Sequence, residues 1–184
     1  MKRKTDQRIL LVHLKGKVCM QRSLGFTLTE LMVTVAVLAI VLSVAVPGFG
    51  NMIRQNRAET QSGLLLSAFN LARSEAIKRG GQIRVTSLSN GNWSSGWRVW
   101  ADGNSNAALD AGELIRVFPS LAGSASLTSA VSEVIFNGQG RLDSVAAGAA
   151  ASFAYSMPNL ECRYERIITI NAMGRAAMSR KECQ

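Results

Sequence analysis

The chain has 184 residues and a formal net charge of +9 at pH 7, and 47% of its residues are hydrophobic. A chain of this length can form one domain with a modest core and an appendage. Residues 1–25 hold seven of the 21 Lys and Arg residues but one of the 12 Asp and Glu residues, so the charge is concentrated at the N terminus and does not by itself indicate a nucleic-acid-binding domain.

The basic segment 1–25 precedes an acidic residue and a long apolar run. Glu30 is followed by the apolar residues Leu31 to Val46. Residues 26–46 would extend about 31 Å as a helix, which matches the thickness of the hydrocarbon core of a bilayer. The positive charge before this run predicts that residues 1–25 stay in the cytoplasm and that the chain after Val46 is exported. A carboxylate within a membrane segment costs roughly 2.5–3.5 kcal/mol on insertion scales, so Glu30 is a candidate functional residue.

The stretch Gly25-Phe26-Thr27-Leu28-Thr29-Glu30 resembles the cleavage and methylation site of type IV prepilins and type II secretion pseudopilins. The resemblance implies that a prepilin peptidase removes residues 1–25, cutting after Gly25, and methylates the new N-terminal residue, Phe26. It also implies that Glu30 is the assembly glutamate, which pairs with the N terminus of a neighbouring subunit.

Three points about this segment stay open. Translation starts at Met1 or at Met20, since Met20 begins a complete short leader. An ordinary secretory signal cleaved near Ser43-Val44-Ala45 is a competing interpretation, although its apolar region would begin with an acid and be longer than usual. A position of Glu30 in the headgroup zone is the alternative to an assembly role.

The next segment, residues 51–79, has the pattern of an amphipathic helix that ends at Gly80-Gly81. Pro47 and the glycines beside it predict a kink or local melting before it. The apolar positions recur at helical spacing and form one core-facing stripe. They are Leu65, Phe69, Ala72 and Ala76, with Leu64 and Ile77 flanking them.

Six short runs after Gly81 alternate in hydrophobicity and are separated by turn residues, which is typical of β-strands. They are Gln82–Ser87, Gly96–Ala101, Glu113–Phe118, Ser132–Asn137, Ala151–Ser156 and Arg166–Asn171. Residues 122–130 and 146–151 are rich in small residues and are predicted to be loops. The expected fold is α+β: a long N-terminal helix, with a membrane half (26–46) and an amphipathic half (51–79), packed on an antiparallel sheet or sandwich. That β-domain covers residues 82–184 of an exported head that begins at residue 47.

Three later blocks resemble the GspH/FimT family of minor pilins and minor pseudopilins. They are residues 68–80 (AFNLARSEAIKRG), 97–102 (WRVWAD) and 136–140 (FNGQG). The resemblance implies the ladle-like type IV pilin fold and a minor type IV pilin that helps to initiate or cap pilus assembly. A minor pseudopilin of the type II secretion system is the alternative function.

The same resemblance implies partners and a location. The partners are other major and minor pilins, the prepilin peptidase and the inner-membrane assembly platform. The expected location is the inner membrane, with one membrane pass and a periplasmic C-terminal domain, and then the extracellular filament.

Two cysteines, Cys162 and Cys183, lie in the part that is predicted to be exported, where disulfides persist. A bridge between them would close the loop of residues 163–182, and closing a loop of that length stabilises a fold by roughly 3 kcal/mol in the chain-entropy model. A disulfide is therefore predicted, and two unpaired buried thiols are the alternative.

Five oxygen-bearing side chains between the predicted second and third strands have the spacing of an EF-hand calcium loop. They are Asp102, Asn104, Asn106, Asp110 and Glu113. Ala107 stands where the EF-hand turn needs glycine, and the flanking segments are predicted strands rather than helices. A solvated connection is therefore the main expectation, calcium is the alternative, and no other cofactor is expected.

The C-terminal region is basic. Some minor pilins of the family that this chain resembles bind DNA for natural transformation through a Gly-Arg-x-Arg loop, and Gly174-Arg175-Ala176-Ala177 matches that loop without its second arginine. Arg180 and Lys181 are the candidates to replace it, so DNA contact by Arg175, Arg180 and Lys181 is a further hypothesis. An ordinary solvated charged face is the alternative.

Catalysis is not expected from this sequence. The single histidine, His13, lies in the predicted leader, and no nucleophile motif accompanies the serines of the head. The protein is therefore predicted to be the substrate of an enzyme rather than an enzyme.

Overall fold

The computed structural model describes residues 25–143, 150–158 and 161–183. The chain divides into two compact units with a boundary between Ser43 and Val44, and each unit is described by itself. The elements are helix α1 (Leu28–Arg79), strands β1 (Gln82–Ser89), β2 (Asn92–Asp102), β3 (Leu114–Phe118), β4 (Ser126–Ser129), β5 (Glu133–Phe136), β6 (Ala151–Ser156), β7 (Arg166–Ile170) and β8 (Ala176–Arg180), with a 3₁₀ turn at Cys162–Tyr164.

The first unit contains the start of helix α1, which begins with a polar cap. The N–H of Glu30 donates to Thr27 Oγ1 (3.2 Å), and the N–H of Leu31 donates to the Thr27 carbonyl oxygen (3.1 Å). Thr27 therefore satisfies N–H groups that would otherwise lack partners at a helix start. Residues 25–43 are all exposed, and the apolar part of α1 is long and hydrophobic enough, by length and composition, to cross a membrane.

The backbone stays helical through Pro47, Gly48 and Gly50, so local melting is wrong, and a kink here stays a prediction. Proline removes one N–H donor, but its fixed φ is compatible with the helical backbone.

The second unit contains two four-stranded sheets, in which every pair of neighbouring strands is antiparallel. The order of strands is β3-β2-β1-β5 in the first sheet and β4-β6-β7-β8 in the second. Strands β1 and β2 are joined by Asn90-Gly91, whose φ values of 35° and 85° match the two-residue turn that favours a hairpin. The expected α+β class, a long N-terminal helix packed on antiparallel sheets, is confirmed.

The six predicted strands are all present, Ala151–Ser156 with the predicted ends and the other five with one or both ends shifted, but two strands were missed. Strand β4 lies inside the predicted loop 122–130, where Leu127 is buried and pairs with Tyr155 of β6. Strand β8 lies in the basic C-terminal region and pairs along its whole length with β7. Both strands consist mainly of small or polar residues, so pairing with a neighbouring strand, rather than their own hydrophobicity, fixes them. The predicted loop 146–151 lies mostly outside the described residues.

The core joins helix α1 to both sheets through three aromatic side chains. Phe69 of α1 contacts Phe153 of β6, with ring centroids 5.0 Å apart, and Trp93 of β2 contacts the same ring edge-on at 4.9 Å. All three side chains are buried. The predicted helical stripe is buried in full: Leu65, Phe69, Ala72 and Ala76.

Two apolar side chains of the predicted elements are half-exposed: Ile77 of α1, which flanks the predicted stripe (51%), and Val117 of β3 (49%). Ile77 lies in the last turn of the helix, and Val117 lies on a strand at the edge of the first sheet. Neither position is covered by a second layer, which periodicity alone could not indicate.

Polar contacts also fasten α1 to the second sheet. The nearly buried guanidinium of Arg166 donates to Glu59 Oε2 from Nε (2.9 Å) and Nη2 (2.8 Å). The Tyr155 hydroxyl donates to Gln61 Oε1 (2.7 Å). Burial raises the pKa of Tyr155 to about 12, so this hydroxyl keeps its proton throughout the physiological range.

Two turns with the same sequence pattern, Asn-x-x-Gly-Arg, meet at one end of the head. In residues 137–141, the Gly140 N–H donates to the Asn137 carbonyl oxygen (2.7 Å) and the Arg141 N–H donates to Asn137 Oδ1 (3.0 Å). In residues 171–175, the Gly174 N–H donates to the Asn171 carbonyl oxygen (2.8 Å) and the Arg175 N–H donates to Asn171 Oδ1 (3.0 Å). The two glycines have φ values of 72° and 73°, in the left-handed region that favours glycine.

These two turns are in direct contact, and α1 reaches them. The Leu142 N–H donates to the Ala172 carbonyl oxygen (3.1 Å), and Arg73 Nε of α1 donates to the Gly140 carbonyl oxygen (3.1 Å). A Cβ atom on Gly174 would overlap that same carbonyl oxygen. The turn pair therefore connects the helix to the last strand of the first sheet and to the β7–β8 hairpin of the second.

We expect Gly174→Ala to lower the free energy of unfolding by about 2 kcal/mol or more, because alanine is strained at positive φ and its Cβ would overlap Gly140. Denaturant unfolding of the full chain in detergent micelles measures this change. Gly63→Ala is the matched control, since a Cβ there meets no atom within 4 Å and alanine favours the helix by about 0.5–1 kcal/mol. Equal stability of the two variants would contradict the described packing of the turns.

Candidate functional sites

The predicted cleavage site is exposed and lies before the helix begins. Gly25, Phe26 and Thr27 are not helical, and Phe26 is 79% exposed. A Cβ on Gly25 would meet no atom within 4 Å. The residues before Gly25 lie outside the described part of the chain, so cleavage after Gly25 stays a prediction that this exposed, non-helical geometry allows.

Glu30 lies in the first turn of α1, where a carboxylate interacts favourably with the positive end of the helix dipole. Within the described residues Glu30 forms no ion pair, and its side chain is exposed. Thr27-x-x-Glu30 is also the sequence pattern of a capping box. This local role was missed from the sequence, and any test of an assembly role for Glu30 must separate the two.

The predicted disulfide is present. Cys162, in the 3₁₀ turn before β7, is bonded to Cys183, which follows β8, with the two Cα atoms 5.9 Å apart. Beside it, the Lys181 N–H donates to the Glu165 carbonyl oxygen (3.2 Å) and Lys181 Nζ pairs with Glu165 Oε2 (2.5 Å). The bridge thus closes the open end of the β7–β8 hairpin.

The candidate calcium ligands are occupied by hydrogen bonds within their own loop. Asp110 Oδ2 accepts from the side-chain amides of Asn104 and Asn106, each at 2.8 Å. The two carboxylate oxygens of Glu113 accept from backbone N–H groups of the same loop, each at 2.9 Å.

Asp102, the first residue of the candidate calcium set, faces the protein interior. Its Oδ2 accepts from Arg84 Nε (2.8 Å), and Arg84 Nη1 donates to Glu133 Oε2 (3.0 Å). The Arg84 guanidinium therefore already neutralises the Asp102 carboxylate, which a calcium ion would need as a ligand. Across residues 25–143, 150–158 and 161–183, no group of three or more His, Cys, Asp or Glu side chains is placed to hold a metal ion.

The three candidate DNA contacts do not lie together. Arg175 lies in the turn before β8, whereas Arg180 ends that strand, opposite Arg166 on β7. At about 3.3 Å per residue, Arg175 and Arg180 lie roughly 16 Å apart along the strand. Lys181 is paired with Glu165. The expectation that Arg180 and Lys181 supplement Arg175 on one loop is therefore wrong, because β8 separates them.

The structure instead places two other arginines near Arg175. Arg141 occupies the equivalent position of the first Asn-x-x-Gly-Arg turn, and Arg73 of α1 donates to Gly140 between the two turns. Neither was singled out from the sequence. The repeat of the Asn-x-x-Gly-Arg pattern at residues 137–141 and 171–175 is the sequence signal that pairs Arg141 with Arg175.

Loss of the disulfide should destabilise the head. We expect Cys162→Ser to lower the free energy of unfolding by about 3 kcal/mol under non-reducing conditions, because the unfolded chain gains the freedom of the opened loop. The double variant Cys162→Ser/Cys183→Ser should lose no more than the single variant. An unchanged unfolding midpoint for the single variant would show that the bridge contributes nothing in solution.

Calcium should not stabilise the protein. We expect the thermal unfolding midpoint to be the same, within about 1 °C, in EDTA and in about 1 mM calcium, because Asp110 and Glu113 already accept hydrogen bonds within the loop and Asp102 is paired with Arg84. A bound ion would raise the midpoint. A rise that Asp110→Asn abolishes would contradict this expectation.

Comparisons with known proteins agree on one family. The family model described as Type II transport protein GspH matches residues 61–174, and the model of the prokaryotic N-terminal methylation motif matches residues 20–46. The first match covers most of the head, and the second contains both Gly25 and Glu30. No curated protein sequence matches the chain.

Solved structures give the same fold. A crystal structure of the type IV minor pilin FimU from Pseudomonas aeruginosa PAO1 has a TM-score of 0.55 and 19% identity, covering 70% of this chain and 92% of that one. A second crystal form of FimU gives a TM-score of 0.51 and 19% identity, with coverage of 68% and 91%. With the GspH model matching well over half of its length, the chain belongs to the GspH family, that of the GspH/FimT-like minor type IV pilins and pseudopilins.

Proposed function

We propose that the protein is a minor subunit of a type IV pilus that helps to initiate or cap the filament. A prepilin peptidase cuts it after Gly25 and methylates Phe26. The observation that carries this proposal is the combination of an exposed Gly25–Phe26 junction, an uncovered apolar helix that begins with one carboxylate, and a GspH-type head. The subunit has a structural role and no catalytic one.

Cleavage would create the cationic amino terminus with which Glu30 is proposed to pair. The new α-amino group of Phe26 is cationic near neutral pH. In the low-dielectric interior of a filament, the Glu30 carboxylate of one subunit pairs with the amino terminus of its neighbour. An unpaired charge there would cost several kcal/mol, so the correct axial register between subunits is favoured.

The apolar segment would serve first as a membrane anchor and then as filament core. Before assembly it spans the inner membrane, with the head in the periplasm, as the basic residues on its N-terminal side favour. The Cys162–Cys183 bridge is compatible with that oxidising compartment. In the filament, the same side chains would pack against the helices of other pilins.

A minor pseudopilin of the type II secretion system is the second candidate, favoured by the description of the matching family model. A pseudopilin would be cleaved by the same peptidase, anchored by the same apolar segment and aligned with its neighbours by the same pairing of Glu30 with an amino terminus. Deletion in the source organism separates the two: loss of surface pili with normal export of folded proteins supports the pilin, and the reverse supports the pseudopilin.

The charge of Glu30 should be required for assembly. We expect Glu30→Gln to be cleaved normally but to enter sheared surface filaments about tenfold less than the wild type, because the neighbouring amino terminus would lose its counter-charge. Glu30→Ala should behave similarly. Immunoblots of sheared filaments and of membranes measure incorporation and cleavage.

Thr27→Ala is the matched control for helix capping. It removes the hydrogen bond to the Glu30 N–H, a loss of about 1 kcal/mol, while the carboxylate stays. We expect its incorporation to stay within about threefold of the wild type. Wild-type filament levels of Glu30→Gln, or equal losses for Glu30→Gln and Thr27→Ala, would refute the register role.

A further inference from the structure

Three arginines converge on the pair of Asn-x-x-Gly-Arg turns. Arg73 Nε donates to the Gly140 carbonyl oxygen (3.1 Å) and lies 3.3 Å from the position of a Cβ on Gly174. Arg141 and Arg175 directly follow those two glycines, and both are exposed. In the part of the chain that the structure describes, none of the three forms an ion pair with a carboxylate. The turn pair therefore carries uncompensated positive charge.

Two exposed apolar side chains lie at the same place. Ile77 of α1 and Met173 of the second turn are each 51% exposed. Ile77 Cδ1 lies 2.6 Å from the position of a Cβ on Gly140, so its side chain contacts that turn, and Met173 directly precedes Gly174. Together the five side chains Arg73, Ile77, Arg141, Met173 and Arg175 form what we term the turn-pair face.

We propose that the turn-pair face binds an acidic, partly apolar surface of another subunit of the same filament. The inference rests on the proposed function, which makes other pilins the available partners. Guanidinium groups pair with carboxylates through two parallel hydrogen bonds, and Arg and Met are enriched in the centres of protein interfaces.

The apolar side chains favour a protein partner over a nucleic acid. A phosphodiester backbone would pair with the three arginines but would leave Ile77 and Met173 in water, since phosphate contacts are polar and electrostatic. A protein surface with a carboxylate beside an apolar side chain would cover both kinds of group. The glycine-rich turns hold this face rigidly, because α1 and both sheets meet there.

The test is a site-specific photocrosslink in the full chain, produced in its source organism. A benzoylphenylalanine at Met173 should give an adduct with another filament subunit, and the crosslinked peptide should contain Asp or Glu. Arg141→Glu with Arg175→Glu should reduce the adduct about tenfold, because like charges would then face each other. Arg180→Glu, at the far end of β8, is the matched control and should change it less than about twofold.

Three outcomes would overturn the inference. They are an adduct that the double charge reversal leaves unchanged, a crosslinked peptide without acidic residues, and a protein present in filaments at wild-type levels without any adduct at Met173.

In a second arm, the full chain in detergent is mixed with duplex DNA at about 50 mM salt, where phosphate contacts are strong. Loss of DNA binding on the double charge reversal, with the adduct unchanged, would assign the arginines to DNA and likewise overturn the proposal. Absence of the unsubstituted protein from filaments would refute the proposed function itself, and the inference with it.

Discussion

The exposed apolar start of helix α1 is the constraint on which the proposed membrane anchoring and filament assembly of this protein depend. Residues 25–43 bury nothing against the rest of their own unit, yet their apolar surface is that of a membrane-spanning helix. Such a surface is costly in water, so it must be covered by lipid or by other helices. In the proposed filament, one carboxylate at the front of this surface, that of Glu30, would determine which axial arrangement of neighbouring helices leaves no charge unpaired. Membrane anchoring and filament packing are two ways of meeting the same requirement.

The second unit is built around the C-terminal part of that helix. The aromatic contacts among Phe69, Trp93 and Phe153 tie α1 to both sheets, and the two glycine turns tie the same three layers together a second time. The disulfide closes the open end of the β7–β8 hairpin, where Arg166 also pairs with Glu59 of α1. The chain is therefore fixed at both ends of that hairpin, by the contacts of the turns and by the disulfide.

Much of this architecture could be predicted where the sequence is periodic or where few pairings exist. The helical stripe from Leu65 to Ala76 and the alternating strands follow from the spacing of apolar residues, and two cysteines in the part that is predicted to be exported leave one pairing between them. Strands β4 and β8 could not be predicted, because small and polar residues become strands by pairing with β6 and β7. The exposure of Ile77 and Val117 depends on what covers each position, which is a tertiary property. The calcium hypothesis rested on the spacing of oxygen-bearing residues, and the DNA hypothesis on a partial match to a Gly-Arg-x-Arg loop. In the structure, Asp102 pairs with Arg84, and Arg180 lies at the opposite end of β8 from Arg175.

Mass spectrometry of the N-terminal peptide, taken from protein in sheared surface filaments, tests the central claim most directly. The account predicts a single N terminus at Phe26 carrying one methyl group on its α-amino nitrogen. An N terminus after Ala45, as a secretory signal would give, or an uncut leader on protein within filaments would contradict it.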